Sequence, residues 1–80
     1  MLTGAGLRRG KEQGAIVDKK QVGRVIVAAR RREGLDLQAL ADLSEVSART
    51  LSDLERGTGN PTLSSLLKVV GTLGLEVVVR

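Results

Sequence analysis

Residues 35–63 read LDLQALADLSEVSARTLSDLERGTGNPTL. Asp36 is placed to cap a short helix whose apolar side is Leu37, Leu40 and Ala41, ending near Ser44. Ser47 starts a second helix, with Val46 before it and Leu51 after it spaced as a hydrophobic staple. On this second helix Leu51 and Leu54 fall on one side, and Arg49, Ser52, Asp53 and Arg56 on the other, before Gly57 stops it. Two short helices joined by a tight turn, with polar residues outward on the second, make a helix-turn-helix. In that geometry the second helix enters the major groove of duplex DNA and its exposed positions must be polar.

The flanks supply the rest of a small helical domain. Asp18 and Gln21 form the ends of a capping box, and Val17 and Val22 are spaced as a staple. Val22, Val25, Ile26 and Ala29 then recur at helical spacing, Arg30, Arg31 and Arg32 suit the C-terminal dipole, and Gly34 ends the helix. After Pro61, Thr62 caps a last helix with Leu63, Leu66, Leu67, Val70 and Leu73 as its stripe and Gly74 at its end. Residues 75–80 change period: Leu75, Val77 and Val79 alternate with Glu76, Val78 and Arg80, as in a strand. Nothing else in the chain reads as a strand. A lone strand leaves its backbone unpaired, so the economical partner is its own copy across a two-fold axis; a frayed tail is the alternative. Three parts follow: a flexible basic arm (1–17), a helix-turn-helix domain (18–74) and a dimerisation strand (75–80).

Composition narrows the chemistry. The 80 residues include no Phe, Trp, Tyr, His or Cys. Disulfides, thiol nucleophiles, the common zinc ligand sets and the commonest general base are absent with them. Without aromatic platforms, readers of unpaired bases are disfavoured. No constellation among Asp, Glu, Lys and Ser resembles an active site, so neither an enzyme nor a metal, cofactor or small-molecule ligand is expected. No apolar run approaches the roughly 18 residues of a membrane span, and the basic start is not followed by a signal-type apolar stretch; a soluble cytoplasmic protein is expected. The net charge of +4 is unevenly spread. Residues 1–32 carry nine basic side chains against Glu12 and Asp18, a balance of +7, and residues 33–80 carry four against seven acids, a balance of −3. A basic arm on a compact module is one electrostatic footprint of DNA binding; a solubilising tail is the other use of such charge.

The stretch 35–63, with Val46-Ser47, Leu54-Glu55, Gly57 and Asn60-Pro61 at their spacings, resembles the Xre/lambda-repressor-like helix-turn-helix family, and the resemblance covers about residues 19–74. Within it the chain looks most like the HipB-type antitoxins, whose Thr-Leu-rich last helix runs at once into a C-terminal strand, as in PTLSSLLKVVGTLGLEVVVR. The resemblance implies a mainly α, lambda-repressor-like domain of four main helices, with a C-terminal β-strand pairing across a homodimer. It also implies a repressor that binds a palindromic double-stranded DNA operator and neutralises a HipA-like kinase toxin. By position, Arg30 and Glu55 match the family's structural salt bridge, and Ala48, Arg49, Ser52 and Asp53 its base-reading residues. Gln38, Ser47, Thr50, Arg56 and Thr58 fall where phosphate is held. Arg49 is the strongest of these candidates, because bidentate Arg to guanine is the commonest specific contact. Leu37, Glu45 and Asp53 depart from the pattern: Gln is usual at the first position, Gly at the second, and an acid on the reading face repels phosphate. Modest affinity that leans on dimerisation and on the arm is the expectation. A stand-alone Xre-type regulator, and an interaction module that has lost DNA binding, are the alternatives.

Overall fold

The computed structural model describes residues 18–77; the arm (1–17), Val17 of the first staple, and residues 78–80 of the expected strand lie outside the described residues. Four helices follow in order: α1 (Lys19–Arg32), α2 (Leu37–Ser44), α3 (Ala48–Arg56) and α4 (Leu63–Thr72). Each N-terminus is capped by the expected residue, although Asp18 caps through Lys20 and not in the expected box with Gln21. Asp18, Asp36, Ser47 and Thr62 accept from the amides of Lys20, Ala39, Thr50 and Ser65 respectively. Each such cap satisfies one otherwise unpaired helix donor and is worth about 1 kcal/mol.

The core is aliphatic. Ile26 and Ala29 from α1, Leu40 and Ala41 from α2, Leu51 and Leu54 from α3, and Val69 and Leu73 from α4 form one cluster. Ile26, Leu40, Leu51 and Val69, one from each helix, are its largest fully buried side chains. Full burial of such a side chain contributes about 1.5–3 kcal/mol, so these four residues define the packing of all four elements.

Two apolar stripes sit differently from the sequence expectation. On α4 the buried row is Val69, Val70 and Leu73 with Leu66 half-buried, whereas Leu63 and Leu67 are 66% and 48% exposed. Two apolar rows compete on this helix, and the one spaced 66-69-70-73 meets α2. On α1 Val25 is 52% exposed, and Gly23 is buried in its stead. A Cβ at Gly23 would collide with the Glu55 carbonyl oxygen and lie 2.8 Å from that of Leu54. The missing side chain lets α1 lie directly on the backbone of α3. Val22, Val25, Leu66, Val70, Leu75 and Val77 line an open apolar groove between α1, α4 and the segment that follows α4.

Leu75 corrects the strand boundary. Its amide donates to the Val70 carbonyl at 2.8 Å and that of Gly74 to Gly71 at 3.1 Å, the two bonds of a Schellman closure. Leu75 therefore belongs to the end of α4, and no strand occurs among the described residues.

The other three helices end in the same way. Leu35 donates to Arg30, Val46 to Ala41 and Thr58 to Asp53, each across a residue with left-handed backbone. That residue is glycine in α1, α3 and α4, but Glu45 in α2, with φ of 60°. A left-handed L-residue costs about 1–2 kcal/mol, partly offset because glycine has more unfolded freedom to lose. Glu45→Gly should therefore stabilise the domain by about 0.5–1 kcal/mol in urea unfolding. An unchanged or lower midpoint would contradict strain at this turn.

Candidate nucleic-acid interface

The recognition-helix candidate, α3, is fixed to α1 by one side chain in particular. Arg30 Nε donates to Glu55 Oε2 at 2.7 Å and Arg30 Nη2 to Glu55 Oε1 at 3.2 Å, a two-pronged pair. Arg30 Nη1 also donates to the Leu35 carbonyl at 2.9 Å, so one guanidinium ties α1, the α1–α2 connection and α3. The side chains are 15% and 9% exposed. The hydrogen bond to Glu55 raises the Arg30 pKa above its ordinary value, against the opposing effect of burial. Because the folded value is the higher one, the Arg30 contribution is fully present below the unfolded pKa and is lost only in strong alkali.

With α3 so held, its outer side presents Arg49 and Arg56 to solvent, with Ala48 and Ser52 half-buried beside them. Ser47 serves the cap: its hydroxyl accepts from the Thr50 amide at 3.0 Å and donates to the Thr50 hydroxyl at 2.9 Å. On α2, Gln38 is exposed and its amide donates to Asp42 Oδ1 at 2.8 Å. Leu37 packs against the core, which accounts for an apolar residue at that helix start. Asp53 stands apart from the others. Its carboxylate turns to the loop after α3, accepting from the Thr58 hydroxyl at 3.2 Å and from Arg56 Nη2 at 3.5 Å. Periodicity gave no notice of this, since it places Asp53 outward without saying where its oxygens go. Gly23 likewise escaped the apolar pattern; a lone glycine inside a helix was its only signal.

The HTH_3 helix-turn-helix family matches residues 26–79. The chain belongs to this family. Among curated relatives, the transcriptional regulator DdrOP3 of Deinococcus deserti is 42% identical over 48 residues, which is 60% of this chain and 37% of that protein. The immunity repressor of Bacillus phage phi105 is 41% identical over 56 residues, 70% of this chain and 39% of the repressor. The chain thus spans well under half the length of these relatives. Among solved structures, the restriction-modification controller protein C.AhdI of Aeromonas hydrophila superposes with a TM-score of 0.68 at 30% identity, covering 74% of this chain and 89% of that one. HipB in its complex with HipA and the O2-O3 DNA shares the fold, with a TM-score of 0.71 at 22% identity over 85% and 96% of the two chains. The relatives are helix-turn-helix transcriptional regulators and repressors. No described helix is long and apolar enough to cross a membrane.

The Arg30–Glu55 pair makes a sharp stability prediction. Arg30→Ala or Glu55→Ala alone should each cost about 3 kcal/mol, because a partly buried charge is left without its partner. Replacing both by Met and Leu should restore most of that loss in urea unfolding. Singles within 1 kcal/mol of the parent (roughly the worth of an exposed pair) would show that the pair does not hold α3.

Proposed function

We propose that this chain is a dimeric, sequence-specific repressor that reads a palindromic operator through α3 and acts as a HipB-like antitoxin toward a HipA-like kinase. The observation that carries the DNA reading is the outward Arg49 on a helix anchored through Arg30 and Glu55. A guanidinium on a fixed helix can meet guanine O6 and N7 in two parallel bonds, worth about 1–3 kcal/mol of discrimination. Ala48 and Ser52 border Arg49 as further base contacts. Gln38, Ser47, Thr50 and Arg56 are assigned to phosphate, Thr58 belongs to the loop beside them with its hydroxyl given to Asp53, and the basic arm adds non-specific attraction.

The dimer is supported by the apolar groove of α1 and α4. Val25 and Val77, which line it, are about half exposed, and the chain runs on in sequence from Val77 into Val78, Val79 and Arg80. A second copy of the chain, adding Val77 and Val79 in a strand across the two-fold axis, would cover this surface. Recognition helices about 34 Å apart would then match half-sites one turn of DNA apart. The antitoxin role rests on the resemblance of residues 61–80 to the HipB type. A stand-alone regulator is favoured by the likeness to C.AhdI at 30% identity; a kinase-like product of the adjoining reading frame that binds the pure chain separates the two.

Titration against its own upstream DNA, at two salt concentrations, tests the central reading. The chain should prefer that DNA to a scrambled duplex by about a thousandfold. Arg49→Ala should lower affinity about tenfold or more and erase preference at one base pair in each half-site. Equal binding to both duplexes would sink the DNA reading. For the dimer, Val77→Asp with Val79→Asp should give a monomer in sedimentation and abolish specific binding; a double variant that stays dimeric places the interface elsewhere.

A further inference from the structure

Asp53 from α3 and Lys19 from α1 both hold the α3–α4 loop. From α3, the Asp53 carbonyl accepts from the Thr58 amide at 2.9 Å and its Oδ1 from the Thr58 hydroxyl at 3.2 Å. The loop backbone presses against the same carboxylate: a Cβ at Gly59 would lie 2.7 Å from Asp53 Oδ2. From α1, Lys19 Nζ donates to the Gly59 carbonyl at 3.0 Å and lies 3.5 Å from Asn60 Oδ1. The three other helix ends place an apolar residue at the position after the left-handed one, namely Leu35, Val46 and Leu75, each packed on the core. At α3 that position is Thr58, which is exposed, and a hydroxyl–carboxylate bond stands in for the apolar contact.

A carboxylate that reads cytosine N4 must offer an oxygen to the groove. In Asp53 one oxygen already takes two donors, the other lies beside Gly59, and the side chain as a whole is only 22% exposed. We infer that Asp53 is a positioning residue, not a base reader: it locks the loop of residues 57–60 beside α3 so that Arg56 and the loop backbone meet phosphate in a fixed register. Pairing with Arg56 also screens the negative charge that would otherwise oppose the phosphates, and Arg56, with a side chain 67% exposed, keeps nitrogen donors facing outward. This inference rests on the DNA reading given above, but the clamp itself exists without DNA and can be measured there.

The test uses the full chain with Asp53→Ala, Asp53→Asn and Thr58→Val. Without DNA, exchange of the Thr58 amide, which donates to the Asp53 carbonyl, should accelerate roughly tenfold in Asp53→Ala and Thr58→Val as the side-chain bond that holds the loop is lost, while core amides stay protected. Against upstream DNA, both variants should bind about five- to tenfold more weakly on every duplex of a set differing by single base pairs. The double variant should be no weaker than the poorer single one, because both remove one interaction. Asp53→Asn should stay near the parent, its amide oxygen still accepting from Thr58. Unchanged exchange in Asp53→Ala overturns the clamp whether or not the chain binds DNA. Altered preference at one base pair, with Thr58→Val unaffected, overturns it in favour of base reading. Faster exchange together with no preference for upstream DNA in the parent chain keeps the clamp and overturns the DNA reading.

Discussion

A single guanidinium sets where α3 stands. Arg30 reaches from the last turn of α1 to both Glu55 oxygens and to the Leu35 carbonyl, so three parts of the chain share one charged node. About two turns earlier on α1, Gly23 brings the two helix backbones together, which places Arg30 within reach of Glu55. Were α1 held off by a side chain there, Arg30 would have to extend into solvent, where an ion pair is worth little. Close backbone contact and ion pair are thus one device. The contact sets the separation of the helices, burial of Leu51 and Leu54 turns Arg49 outward, and the pair fastens α3 in that orientation.

The four helix ends show how a short chain with no aromatic, disulfide or metal holds its turns. Each closes with the same pair of backbone bonds across a left-handed residue, and three of the four then bury an apolar side chain on the core. Local closure of this kind satisfies helix carbonyls without long-range structure. It also fixes the direction in which the next element leaves, which matters most between α2 and α3. There the strained Glu45 occupies the turn, and its cost is set against the caps and core that hold both helices.

Most of the fold was legible because its signals are local. Capping residues marked all four helix starts and glycines three of the four ends, and the buried face of α3 had only one apolar row to choose from. The α4 row was ambiguous because Leu63 and Leu67 make as good a helical stripe as Val69 and Leu73. Only contact with α2 and α3 decides between them. Of the candidate site, Arg30 and Glu55 were matched by family likeness; no periodicity pairs residues 25 positions apart. Asp53 shows the opposite failure. Its place on α3 is local and was read correctly, yet the direction of its carboxylate depends on a loop that a helical wheel does not contain.

The charge distribution gives the electrostatics of the proposed complex an asymmetric shape. Residues 33–80 carry a net −3, so α2 and α3 bring little attraction of their own to a phosphate backbone. Within α3 the acids are already engaged: Glu55 by Arg30, and Asp53 by Arg56 and Thr58. Because the charge that balances Glu55 comes from α1, the field at the outer side of α3 is more positive than the sum of its own residues, with Arg49 exposed and the charge of Arg56 shared with Asp53. The long-range excess sits instead on residues 1–32, with Lys20, Arg24, Arg31 and Arg32 exposed along α1. Charge at that distance attracts any duplex without regard to sequence and is screened by salt within about 8–10 Å. Attraction and discrimination are thus assigned to different parts of the chain. Because α1 and α3 are joined through Arg30, in the proposed complex the part that would attract also orients the part that would read.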